Sequence, residues 1–171
     1  MKKIAVLRHA KSSWDQQQLE DFDRPLSERG RKAAKRMGRA LEHRGFEFDL
    51  VLASTAARVR ETIDAVKEKF ELEAPVVYEP RIYLADEGLL LAIVRELSES
   101  VRRPLIVGHN PGLERLLVEL TRDDEDHLRE RIAHKFPTGA FALVELPAHR
   151  WSEIDCGSGK IVELIVPKDL D

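Results

Sequence analysis

The stretch Ile4-Ala5-Val6-Leu7-Arg8-His9 decides how the rest of the chain is read: four consecutive apolar residues run straight into a cation and an imidazole. Preceded by Lys2-Lys3, it has the form of a strand buried on both faces. Open α/β sheets bind ligands beyond the carboxyl ends of their strands, so Arg8 and His9 are the first candidate site residues. Taken alone, the pair is also what a surface arginine and a hydrogen-bonded loop histidine look like. Whether other segments deliver matching groups to the same place decides between these readings.

Two segments do. Phe48-Asp49-Leu50-Val51-Leu52-Ala53 reads as a second buried strand, and Ser54 to Thr62 opens a helix in which Val59, Ile63, Val66 and Phe70 recur at helical spacing. Arg58 sits in the first turn of that helix, where a cation opposes the macrodipole. A bound anion would explain it, and a surface ion pair with Glu61 or Glu71 is the alternative. Leu105-Ile106-Val107-Gly108 is a further strand that delivers His109. Asn110-Pro111-Gly112 then starts a helix, with Asn110 as N-cap and Pro111 in the first helical position. His109 therefore falls between a strand end and a helix N-terminus, where unpaired backbone N–H groups favour anions.

The remaining elements complete the architecture. Residues 10 to 23 lack a period and read as a loop near the strand end; Lys11, Ser12 and Trp14 would line an entrance, unless Trp14 packs on the core. Ser27 is a good N-cap for a helix with Ala33, Met37, Ala40 and Leu41 on one face, ended by Gly45. Pro75 to Tyr78 is a short strand, and Glu87 to Ser100 a helix with Leu90, Ile93, Val94 and Leu97 on one face. Phe141 to Leu146 and Lys160 to Val166 are strands, with Trp151 to Ile154 as a candidate third between them. The order βαβαβαβ followed by strands predicts a three-layer α/β/α fold, with a mostly parallel central sheet and an antiparallel C-terminal part. At 171 residues the chain is expected to form a single domain, residues 1–171.

Composition excludes several classes. With 28 Lys+Arg against 31 Asp+Glu, the formal charge of −3 argues against nucleic-acid or membrane binding by bulk electrostatics. One cysteine, Cys156, excludes an internal disulfide framework and a thiolate metal cluster. No signal-like segment and no run of about 20 apolar residues is present, so a cytoplasmic protein is expected.

If the three strands are parallel neighbours, Arg8, His9, Arg58 and His109 open on one rim. Two guanidiniums and two imidazoles suit a tetrahedral dianion, because the arginine fork matches phosphate oxygens and charge-assisted hydrogen bonds contribute roughly 1.5 to 3 kcal/mol each. A metal would need a third ligand, for which Asp15, Asp21 or Asp86 would have to join His9 and His109 beside two repelling arginines. No P-loop follows any strand. This leaves phosphoryl chemistry with histidine as nucleophile, no metal and no cofactor.

Leu7-Arg8-His9-Ala10-Lys11-Ser12, Arg24-Pro25-Leu26-Ser27-Glu28-Arg29-Gly30, Ser54 through Arg58 to Thr62, and Val107-Gly108-His109-Asn110-Pro111 together resemble the histidine phosphatase superfamily, in particular its small SixA-type phosphohistidine phosphatase branch. The resemblance spans residues 1 to about 120 and implies a phosphoglycerate mutase-like fold. By position it implies that His9 attacks phosphorus and becomes phosphohistidine, while Arg8, Arg58 and His109 hold the phosphoryl oxygens, with Lys11 and Ser12 as further substrate-binding residues. The implied partner is a phosphorylated protein carrying phosphohistidine. Alternatives are a small phosphorylated metabolite, cleaved by the same site as a phosphomonoesterase, or a phosphate-binding regulatory module without turnover. Ala10 and Thr55 depart from the glycine and proline of many relatives. The general acid has no match; Glu79 and Asp86 are local candidates, and Asp21 and Asp23 lie in the loop. His43, His127, His134 and His149 are expected to be non-catalytic.

Overall fold

A computed structural model describes residues 1–170. Its six strands are β1 (Lys2–Arg8), β2 (Leu50–Ala53), β3 (Val76–Tyr78), β4 (Pro104–Gly108), β5 (Phe141–Leu146) and β6 (Lys160–Ile165), and they form one sheet in the order β3-β2-β4-β1-β5-β6. The pairs β2–β3, β2–β4 and β1–β4 are parallel, and β5 and β6 add antiparallel to the β1 edge. The expected α/β architecture with a parallel centre and an antiparallel C-terminal part is what forms. Its helices are α1 (Glu28–His43), α2 (Ala57–Lys67), α3 (Glu87–Arg95), α4 (Gly112–Leu120) and α5 (Leu128–His134).

Strand alternation generates the three layers. In β1, Ala5 and Leu7 join Val51, Ala53, Leu105 and Val107 in a core covered by α1 and α2. Ile4 and Val6 point the other way, joining Leu52 and Ile106 in a core covered by α3, α4 and α5. Both faces of the parallel strands are thus apolar, which is why they read as continuous hydrophobic runs.

Several boundaries differ from expectation, each for a local reason. The buried stripe of α1 is Gly30, Ala34, Met37, Gly38 and Leu41, and Ala33 and Ala40 are only half-buried. The glycines set this rotation: a Cβ on Gly38 would run into the Val66 backbone of α2, and one on Gly30 into the Lys11 carbonyl. α3 stops at Arg95, because Ser98 Oγ accepts from Ser100 N–H and Glu99 is drawn off to Lys2 and the Trp151 N–H. Trp151–Glu153 is a 3-10 turn rather than a strand; the Trp151 ring is buried and donates to Val101 O at 2.9 Å. β2 begins at Leu50, since Phe48 packs against Phe70 and Phe141 instead of joining the ladder. α4 begins at Gly112 with Pro111 as its N-cap, while Asn110 Oδ1 accepts from Glu114 N–H at 3.3 Å from one residue further back.

Candidate active site

The register brings the predicted residues together. β1 pairs with β4 so that Arg8 lies opposite Gly108, and His9 N–H donates to Gly108 O, placing His9 beside His109. On the other side of β4, Ser54 N–H donates to Val107 O, which carries the start of α2 to the same rim. The site thus straddles the reversal of strand order between β1 and β4.

His9 is buried, and its Nδ1 donates to the Ala10 carbonyl at 2.7 Å, leaving Nε2 as the free basic nitrogen. Burial, reinforced by the charges of Arg58, Arg8 and Arg24 and only partly countered by the Ala10 hydrogen bond, lowers its pKa to about 4. His109 lies with its ring centroid 5.2 Å from that of His9. Burial, with smaller contributions from His9 and Arg58, lowers its pKa to about 3. Both rings are therefore neutral at pH 7. His109 Nε2 meets Ser54 Oγ at 2.7 Å, and Nδ1 is buried without a partner.

Arg8 Nη1 donates to Phe136 O at 3.1 Å, and its Nε has no partner. Arg58 is 3% exposed. Neither Glu61 nor Glu71 pairs with it. Instead Nη1 donates to the Asp21 carbonyl at 2.8 Å and Nη2 to Asp21 Oδ2 at 3.1 Å, while Glu61 goes to Arg31. Tyr83 Oη also donates to Asp21 Oδ2, at 2.5 Å, and the Tyr83 ring lies edge-on to His109. Asp21 is thus a bracket that joins the loop to Arg58 and Tyr83. Burial works to raise its carboxyl, but the Tyr83 hydroxyl and the Arg58 guanidinium outweigh that and hold it below the usual range. An acid kept ionised in this way is a poor proton donor.

The other proton-donor candidates lie elsewhere. Glu79 accepts from Arg81, which holds its carboxyl below the usual range, and Asp86 Oδ1 caps α3 by accepting from Leu89 N–H at 2.8 Å. Asp23 is exposed in the 3-10 turn Asp21–Asp23. Asp15 is exposed as well, and no group of three or more His, Cys, Asp or Glu side chains gathers among the described residues. His43, His127, His134 and His149 are all exposed.

The cleft has a volume of about 440 Å³, and its walls include Arg8, His9, Arg58 and His109 with Lys11 and Ser12 from the loop. Other, comparably sized hollows lie along the α1–β2 connection and beside α5 and bring no imidazole pair together. Trp14 is 72% exposed at the mouth, not on the core, and stacks on Arg24. Sequence reading missed Arg24, Lys135 and Thr138 as lining residues, and Asp21 and Tyr83 as the support of Arg58. No carboxylate lines the cleft. Its chemistry is cationic and imidazole-rich, complementary to a phosphoryl group.

The sheet order and the paired imidazoles with their flanking guanidiniums define a class, and comparison with known proteins agrees: the profile of the histidine phosphatase superfamily (branch 1) matches residues 4–88. The chain belongs to the histidine phosphatase superfamily. Within it, the chain is 34% identical to an uncharacterized protein of Mycobacterium leprae over 95% of its own length and 100% of the relative's. Among solved structures it is similar to a putative phosphohistidine phosphatase SixA from Agrobacterium tumefaciens, with 29% identity, a TM-score of 0.79 and coverage of 97% and 98% of the two chains. It is also similar to the protein histidine phosphatase SixA complexed with tungstate, at 25% identity, TM-score 0.79 and 98% coverage of both chains.

Proposed function

We propose that this chain is a metal-independent phosphatase that passes through phosphohistidine at His9 and acts on phosphohistidine in proteins. The observation that carries this reading is a neutral His9, fixed through Nδ1, in a cleft walled by Arg8, Arg58 and His109 and free of carboxylates. In the first step Nε2 of His9 attacks phosphorus, the P–N bond of the substrate breaks, and its electron pair leaves on the substrate imidazole. That ring carries its own proton when it departs, so the lack of a general acid is no obstacle; an alkyl phosphate would need a donor. In the second step water attacks phosphorus, the P–Nε2 bond breaks, and the pair returns to His9. Arg8, Arg58 and His109 offer donors where charge builds on the oxygens, and Lys11 and Ser12 border the approach.

The related SixA structures, one of them holding tungstate, a tetrahedral oxyanion, support carrying this chemistry over. The open mouth supports a protein side chain over an enclosed metabolite as substrate. No helix among the described residues is long and apolar enough to cross a membrane, and the single thiol, Cys156, is free; both agree with a cytoplasmic setting. One sheet flanked by both cores supports a single domain over residues 1–171.

The test is to quench turnover of a phosphohistidine peptide in EDTA and look for acid-labile phosphate on His9. Labelled His9, with no turnover by His9→Ala, is expected. Turnover with no phosphoenzyme would refute the covalent step. Preference for sugar phosphates would favour the metabolite reading, and binding without turnover the regulatory module.

A further inference from the structure

We propose that Arg24 is a third guanidinium of the phosphoryl site, and that Trp14 is the positioning residue that holds it there. The proposal rests on the reading of the cleft as a phosphoryl site and extends it to two residues of the loop.

The argument starts from unspent hydrogen-bonding capacity. A guanidinium carries five N–H donors. Arg58 commits Nη1 and Nη2 to Asp21, and Arg8 commits Nη1 to Phe136 O. The Arg24 side chain makes no hydrogen bond among the described residues, although it is only 8% exposed and its Nε and Nη1 are fully shielded from water. Leaving buried charged donors unmet is costly, and such groups in folded proteins have a partner that explains them. Asp21 meets only part of that need: its Oδ1 forms an ion pair with Arg24 Nε at 3.4 Å but without hydrogen-bond geometry, and its Oδ2 is taken by Arg58 and Tyr83. Arg24 and His9 line the same cleft, whose walls hold no carboxylate, so the fork's one unshielded nitrogen, Nη2, has an anion brought in from solution as its available acceptor.

Trp14 supplies the second observation. An indole left 72% exposed gains little from burial, yet its ring lies 3.5 Å from the Arg24 guanidinium carbon. Stacking of this kind holds a guanidinium in place while leaving its N–H edges free. The loop is itself pinned: Ser13 N–H donates to Pro25 O at 2.8 Å, and Ser12 bridges to Leu26, fixing the segment before Trp14 against the segment after Arg24. The oxygens of a transferring phosphoryl group spread charge in three directions, and a third fork matches that demand better than two half-committed ones.

The experiment titrates tungstate against wild type, Arg24→Ala, Arg24→Lys, Trp14→Ala and Trp14→Phe, reading inhibition of phosphohistidine-peptide hydrolysis, kcat and KM, Tm, and indole emission. Expected are at least tenfold weaker tungstate inhibition and tenfold lower kcat/KM for Arg24→Ala, and at least fivefold for Arg24→Lys, which keeps the charge without the fork. Trp14→Ala should raise KM and the tungstate inhibition constant at least threefold with kcat within twofold, and Trp14→Phe should restore both. Tungstate should change the emission of wild type and not of Arg24→Ala; the buried Trp151 ring is too enclosed to supply that signal. Should Arg24→Ala fail to fold, Arg24→Lys decides. Tungstate inhibition and kcat/KM within twofold of wild type in a folded Arg24 variant would overturn the proposal. If His9→Ala is dead while the Arg24 variants match wild type, only this inference fails; if wild type is itself inactive, the phosphatase reading fails first.

Discussion

His9 and His109 lie with ring centroids 5.2 Å apart and planes inclined by 56°, and neither ring is free to turn. His9 is tied to the Ala10 carbonyl, and His109 to Ser54 Oγ, both at 2.7 Å. Ser54 Oγ already accepts from Ala56 N–H at 3.2 Å, so its hydroxyl proton is available to His109 Nε2. A neutral His109 in that arrangement carries its own proton on Nδ1, the nitrogen that has no protein partner. In the proposed mechanism the two neutral rings would have opposite tasks, with Nε2 of His9 attacking and Nδ1–H of His109 donating.

Ser54→Ala tests that assignment. It removes the group that selects the tautomer while changing little volume, and should lower kcat about tenfold, on the order of 1.4 kcal/mol. Because it leaves Ala56 N–H and His109 Nε2 unpaired, it should also lower Tm through a stability loss of about 1–3 kcal/mol. Steady-state kinetics beside a thermal melt would check it. A kcat within twofold of wild type would mean that Ser54 does not set the tautomer.

Arg58→Ala should lower kcat/KM by at least 10²-fold, about 2.7 kcal/mol of transition-state stabilisation. A loss under threefold would remove Arg58 from the site. Asp21→Ala should cost less, about five- to twentyfold, because the guanidinium remains and loses only its bracket. Tyr83→Phe, which deletes one donor to Asp21, should fall between Asp21→Ala and wild type.

Acid should destabilise the fold through the two imidazoles. Their folded pKa values, about 4 for His9 and about 3 for His109, lie below the unfolded value near 6.5, so between these limits the unfolded chain binds more protons than the native one. Their contribution is fully present above about pH 6.5 and is lost as pH falls towards 4 and below. Urea unfolding at pH 7 and pH 5 should differ by a few kcal/mol from the pair, and His9→Gln with His109→Gln should flatten that slope. Saturating tungstate should oppose the loss, since a bound dianion favours protonated rings. In the free enzyme the same low His9 pKa moves the acid limb of kcat/KM below pH 5.

Gly30 tests the coupling of α1 to the loop. Its missing Cβ leaves room for the Lys11 carbonyl, which accepts from Ser27 N–H at 2.9 Å and from the Ser27 hydroxyl at 3.2 Å. Gly30→Val should cost about 1–3 kcal/mol in chemical denaturation and raise KM, as the loop bearing Lys11 and Ser12 is pushed off its seat.

The amino-acid sequence by itself determined the strands, their apolar character and the polar residues at their carboxyl ends. Burial on both faces demands unbroken apolar runs such as Ile4 to Leu7 and Leu105 to Val107, and the first polar residue after each run marks the rim. Arg8, His9 and His109 were legible as candidates for that reason, and Arg58 by its place in the first turn of a helix, where a cation opposes the macrodipole. Tertiary structure alone decided that β4 lies between β1 and β2, which face of α1 is buried, and that Arg24 and Trp14 belong to the cleft while Glu79 and Asp86 do not. Strand order, helix rotation and the path of an aperiodic loop depend on contacts between residues distant in the chain, and such contacts leave no period in the sequence. Asp21 and Arg58 meet because the loop folds back onto α2, and only their positions in space make them partners.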